Sequence, residues 1–407
     1  MKQDMKKFSI VIIVTFIFLA DFGVIGDLEI SKYGGTPNSD ITEAFKKVWA
    51  EACNSTIAVK IVIPSGNYRT SGIDAEGPCK APIEIQIDGT IQAPSDVNQI
   101  QKGIDQWIRF STMDHLTISG GGIFDGQGLN TWKKATAAWS KNHKADNKVS
   151  MNFGFYFVNN SIITGITSKD SKNFHFMIYA CENITLDGIK VSAPGDSTNT
   201  DGVHLGKSTD VKILNTDIAT GDDCVSIGDG SRKVLVQNVK CGPGHGISVG
   251  SLGRFTNEDN VEGFTVKNCT LTNTDNGVRI KTWPSGPGQI TITDMHFEDI
   301  IMNNVLNPII IDQEYCPWNQ CNKNNPSKIQ ISKVLFKNIQ GTARAQEGVV
   351  LICSRGVPCN GVELNNIDLK FNGQPARAVC SNVKPIVTGN APTCEAYGSP
   401  PSQAKPN

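Results

Sequence analysis

The sequence predicts an all-β chain wound as a right-handed parallel β-helix, a solenoid, with one short N-terminal capping helix. Three observations carry that expectation. Helical periodicity occurs clearly in only one stretch, and beyond it apolar residues alternate with period two. Short strands starting at Ile184, Val211, Val234, Phe264, Ile290, Val334 and Val362 recur 27, 23, 30, 26, 44 and 28 residues apart, the length of one supersecondary unit rather than of a domain. Four positions after these starts stand Gly188, Asn215, Asn238, Asn268, Asp294, Asn338 and Asn366, residues that turn a chain or stack on their like. Leucine-rich repeats would need Leu-x-x-Leu-x-Leu and helical returns, whereas here β-branched residues dominate and the returns are rich in Gly, Asn, Asp and Ser. A β-sandwich would space its strands by roughly 8–12 residues. Stacked coils instead bury an inward ladder of Val, Ile and Phe.

Composition agrees. With 407 residues, 39% of them hydrophobic, 39 glycines and 7% aromatics, the chain is neither disordered, fibrous nor a multi-span membrane protein. A net charge of −1 argues against a general nucleic-acid binder, which needs a basic face.

Taken from the N-terminus, Lys6 and Lys7 precede an uncharged apolar run from Phe8 to Ala20 that Asp21 ends. The run is too short to span a bilayer as a helix and fits a signal-peptide core, with Val24 and Gly26 at the −3 and −1 positions of a cleavage site. Residues 1–26 are therefore expected to be removed, leaving a single catalytic β-helix over 27–396 and a polar, Pro-rich tail over 397–407. No second apolar run follows, so no membrane anchor is expected and the protein reads as released. After Asp40, with Glu43 three residues on as in a capping box, Ala44, Phe45, Val48, Trp49 and Ala52 recur at helical spacing. This helix, over about residues 41–53, would cover the open end of the solenoid.

Export gives meaning to the twelve cysteines. Neighbours in sequence suggest Cys53 with Cys79, Cys224 with Cys241, Cys316 with Cys321, Cys353 with Cys359 and Cys380 with Cys394, although sequence alone does not fix connectivity. Cys181 and Cys269 lie in strand-like runs and read as buried thiols. No Cys-x-x-Cys pair occurs and the six histidines are scattered, so no zinc site is expected. Asn54, Asn159, Asn183 and Asn268 begin Asn-x-Ser/Thr sequons and are glycosylation candidates.

Four motifs interrupt the repeat with chemistry: Asn199-Thr200-Asp201-Gly202, Gly221-Asp222-Asp223-Cys224, Gly244-His245-Gly246 and Arg279-Ile280-Lys281. Singly each has an ordinary explanation: a turn, a solvated acidic pair, a tight loop, a solvated basic pair. Adjacent Asp222 and Asp223 would face opposite sides of a plain strand, so both reach one cleft only if the backbone bends there. The steps from 201 to 222, 245 and 279 match successive coils, and they bring all four motifs to one face. The combination outweighs the separate explanations.

In this ordered set the chain resembles the polygalacturonases of glycoside hydrolase family 28, across essentially the whole mature sequence. The stretch Cys316-Pro-Trp-Asn-Gln-Cys321 looks most like the exopolygalacturonases of plant pollen. The resemblance implies hydrolysis of α-1,4-galacturonosyl linkages of homogalacturonan by an inverting acid/base route, exo-acting, in the plant cell wall. It implies Asp222 as proton donor, Asp201 and Asp223 holding and deprotonating the water, and His245 tuning the donor. It further implies Arg279 and Lys281 gripping the galacturonate carboxylate, with Asn199 and Tyr315 also at the substrate. The residues suit this chemistry, since clustered carboxyls raise at least one pKa and keep a proton available. An acidic polysaccharide is the expected partner, with no cofactor or metal and a monomeric chain. Endo-action, a calcium-dependent pectate lyase and a non-catalytic carbohydrate-binding solenoid are the alternatives.

Overall fold

A computed structural model describes residues 26–100, 105–133 and 150–397. The signal segment, apart from residue 26, and the tail beyond residue 397 lie outside the described residues. One continuous sheet runs from a first strand at Asp27–Glu29 to a last at Cys394–Ala396. Its strands pair in parallel with their counterparts one coil on, except where Gln374–Pro375 folds back antiparallel on Asn360–Phe371. A representative coil contains Val203–Gly206, Thr209–Leu214 and Asp217–Ala219. These pair with Asp223–Ile227, Arg232–Gln237 and Lys240–Cys241 of the next coil. The architecture is a parallel β-helix.

In each strand alternate residues point inward, and parallel register puts like on like. Val203, Val225, Ile247, Val278, Ile309 and Val349 form one ladder; Leu205, Ile227, Val249, Ile280, Ile311 and Leu351 form the next, and all are fully buried. Aromatic rings stack in the same way, Phe153 on Phe176 at 4.8 Å and Phe297 on Phe336 at 5.1 Å. At about 25 cal/mol per Å² of apolar surface, such ladders supply most of the cohesion between coils.

A corner follows one strand of each coil, and there Asn215, Asn238, Asn268, Asp299, Asn338 and Asn366 adopt left-handed φ between 50° and 57°. Asparagine tolerates that conformation and can both donate and accept along a stack. The amide of Asn238 donates to Asn215 at 2.8 Å, Asn268 to Asn238 at 2.8 Å and Asn338 to Asp299 at 2.8 Å. The repeat expected at Ile290 with turn residue Asp294 begins instead at Met295. Met295 and Phe297 stack on Phe264 and Val266, so the equivalent corner is Asp299. Asp294, at φ 62°, belongs to an earlier corner row with Gly263, Lys333 and Gly361. Met295 is not β-branched, and so the true register was masked.

Helix α1 spans Thr42–Asn54 and buries the expected apolar face. Trp49 meets Phe110 edge-on at 6.4 Å and donates its indole N–H to the carbonyl of Glu76, while the disulfide Cys53–Cys79 fixes the helix end. Asp40 accepts from the Thr42 amide at 2.8 Å. Glu43, however, turns to Lys46 at 2.7 Å, so the reciprocal half of a capping box is not made. Disulfides also join Cys224 to Cys241, Cys316 to Cys321, Cys353 to Cys359 and Cys380 to Cys394. Cys181 and Cys269 are buried thiols, each pushed up to about 11 by burial.

Candidate active site

Four stacked strands build the site: β1 (Val203–Gly206), β2 (Asp223–Ile227), β3 (Gly246–Leu252) and β4 (Asn276–Thr282). Their outward row runs His204, Ser226, Ser248, Arg279 on successive coils. The four sequence motifs lie at or within this stack and are laced to one another. The Thr200 hydroxyl accepts from the Gly221 amide at 3.1 Å, the Gly202 amide donates to the Asp223 carbonyl at 2.9 Å, and the His245 amide donates to the Asp222 carbonyl at 2.8 Å.

The backbone bend that adjacent aspartates require is present. The register between β2 and β3 slips between Asp223 and Val225, leaving Cys224 as an extra inward residue tied to Cys241. Glycine is obligatory beside it: a Cβ on Gly221 would sit 2.0 Å from the Ser197 carbonyl oxygen, and Gly246, at φ +88°, approaches Asn276 as closely.

Asp223 is buried, and both its oxygens bond protein donors. Oδ1 accepts from the Ser248 hydroxyl and the Arg279 guanidinium, each at 2.8 Å, and Oδ2 accepts from Lys281 Nζ at 2.7 Å. Burial alone would raise its pKa, but Lys281 and Arg279 hold it down at about 2. Asp201 is buried too, and its Oδ2 accepts from Ser226, whose hydroxyl meets His204 Nδ1 at 2.6 Å. Burial, then the charges of Asp222 and Asp223, hold the Asp201 carboxyl well above the usual carboxylate range. Asp222 differs from both: its side chain is 23% exposed, and Oδ1 lies 2.9 Å from His245 Nδ1. That bond raises His245 against the effect of burial. His245 Nε2 lies 3.9 Å from Asp275, which Arg344 holds at 2.8 Å.

Arg279 and Lys281 were expected to face a substrate carboxylate. Both are engaged with Asp223, their side chains 11% and 8% exposed. Above them lies the Tyr315 ring, with its centroid 6.0 Å from the Arg279 guanidinium carbon and 5.4 Å from Lys281 Nζ. Asn199 is exposed at the rim and donates to Asn173 at 2.5 Å. Sequence reasoning missed Ser226, Ser248 and His204. Their signal, a polar residue between two apolar ones in consecutive strands, is too common to stand out unaided.

Residues 53–394 match the model of the glycosyl hydrolases family 28. The chain belongs to glycoside hydrolase family 28. A polygalacturonase of Medicago sativa is 67% identical over 398 residues, covering 97% of this chain and 94% of that one. An exopolygalacturonase of Oenothera organensis is 51% identical over 353 residues, 86% of this chain and 96% of its own. Among solved structures, the endo-xylogalacturonan hydrolase of Aspergillus tubingensis superposes with a TM-score of 0.75 at 23% identity, over 92% of this chain and 100% of that one, a likeness of fold. This family 28 chain is a glycoside hydrolase of the polygalacturonase type, a pectin-degrading activity.

Proposed function

We propose that the chain is an exported exo-acting polygalacturonase that releases galacturonate from homogalacturonan ends in the plant cell wall, with inversion, as a monomer whose catalytic unit is residues 27–396. One observation carries the mechanism: of three clustered carboxyls, only Asp222 reaches solvent, where a glycosidic oxygen can meet it. In this reading Asp222 donates the proton to the leaving oxygen. Asp223, kept ionised by Lys281 and Arg279, and Asp201 hold the water and take its proton. His245 sets the protonation of the donor through its Nδ1 contact. Arg279 and Lys281 fix the buried base and present their remaining faces, with Tyr315 and Asn199, to the sugar.

Five disulfides and the apolar leader support export, and the exopolygalacturonase name of the Oenothera relative supports exo-action. No helix among the described residues is long and apolar enough to cross a membrane. Asn54, Asn159, Asn183 and Asn268 remain the candidate glycan sites. The lyase alternative has one feature in its favour, since ligand atoms of Asp222, Asp223 and His245 lie within 4.8 Å of one another. Calcium, however, takes six to eight oxygens, and the Asp223 carboxylate already carries two protein cations. The test of exo-action is the product spectrum from long homogalacturonan. Monomer alone in the first minutes supports it; an early spread of oligomers means endo-action.

A further inference from the structure

Since Asp223 holds both Arg279 and Lys281, a galacturonate carboxylate elsewhere in the groove needs another cation. Arg254 is one. It follows Gly253 in the turn after β3 and is exposed, and among the described residues no carboxylate pairs with it. The nearby carboxylate of Glu258 is taken by the backbone amides of Gly253 and Phe255. The guanidinium is held by rings instead: its central carbon lies 5.2 Å from the centroid of Trp283, 5.6 Å from Phe255 and 5.7 Å from Trp318. Contacts of this kind orient an arginine without consuming its hydrogen-bonding edge. Trp283 packs edge-on against Tyr315 at 5.4 Å and beside Trp318 at 5.5 Å. Tyr315 in turn covers Lys281 and Arg279. An unbroken path thus leads from the buried carboxylates through Tyr315 and Trp283 to a cation without an acidic partner, flanked by the exposed rings of Phe255 and Trp318.

We propose that Arg254, with the Trp283–Trp318 wall, is a subsite for a uronic-acid unit of the oligosaccharide beyond the one being cleaved. The guanidinium takes the sugar carboxylate through paired N–H groups while an aromatic face takes the ring. The inference rests on the galacturonan reading above and deepens it.

The test is calorimetric titration of trigalacturonate, and of its fully methyl-esterified form, into the full chain carrying Asp222→Asn to prevent turnover. In that background Arg254→Gln should weaken trigalacturonate binding by about tenfold or more, the loss expected of a charge-assisted hydrogen bond, and leave the ester unaffected. Arg254→Lys should recover part of the loss, and Trp318→Ala should weaken both ligands because stacking ignores charge. Unchanged binding in Arg254→Gln overturns the assignment. So does an equal loss on acid and ester, which would mean that the arginine merely supports the rings. If the trimer binds in an Arg254-dependent way but the unsubstituted protein does not cleave it, the subsite stands and the hydrolase reading falls.

Discussion

The ammonium of Lys281 lies 2.7 Å from Oδ2 of Asp223, with both side chains almost wholly buried. The two residues are 58 positions apart and belong to motifs that read separately as an acidic pair and a basic pair. Removing one partner of a buried pair leaves the other charge uncompensated, at a cost of about 3 kcal/mol or more, less what Arg279 still supplies here. Lys281→Gln should therefore lower both melting temperature and kcat. A variant that raised only KM, with stability intact, would return Lys281 to the substrate-gripping role.

Replacing Asp222 by Asn keeps shape and removes the transferable proton. Turnover on polygalacturonate should fall by about two to four decades with KM little changed, and His245→Ala should cost less because it acts through Asp222. Retention of more than about a tenth of wild-type kcat in Asp222→Asn would show that another group is the donor. Steady-state kinetics across the two variants decide this.

Much of this was readable in the residues. Asp201, Asp222, His245 and Arg279 are spaced by coil length, and that spacing alone predicts their convergence, because a solenoid converts sequence period into spatial register. What could not be read was which charge meets which. Alternation places Arg279 and Lys281 on one face, but the slip at Cys224 that carries Asp223 under them leaves no compositional trace. Likewise Ser226 and Ser248 are ordinary strand serines until stacking aligns them beneath Arg279. The register error at Ile290 has a similar source: two corner rows, at Asp294 and Asp299, use the same residue type.

Chelation should leave activity intact. Among the described residues, the one group of three acidic or histidine ligand atoms within 4.8 Å of one another includes Asp223, whose oxygens face Ser248, Arg279 and Lys281. Assays in EDTA with and without added calcium check this. Loss on chelation, restored by calcium, would favour the lyase.

Stability should fall on mild acidification. Burial pushes His175 down to about 3 and His204 down to about 4. Below the ordinary value of about 6.5 the unfolded chain binds protons that these folded rings refuse, so stability declines from there to about pH 4. Asp201 acts in the opposite sense, since its raised carboxyl takes a proton earlier when folded. His175→Gln should flatten the dependence of melting temperature on pH in that window; an unchanged slope would mean that the buried imidazole does not drive it.

In the proposed acid/base hydrolysis, water held by Asp201 and Asp223 attacks opposite to the proton donor Asp222. The most direct measurement is proton NMR of the first product formed from an α-linked galacturonan, recorded before mutarotation. Saturated galacturonate should appear first as the β-anomer. First appearance of the α-anomer, or of a product with a ring double bond, would contradict it.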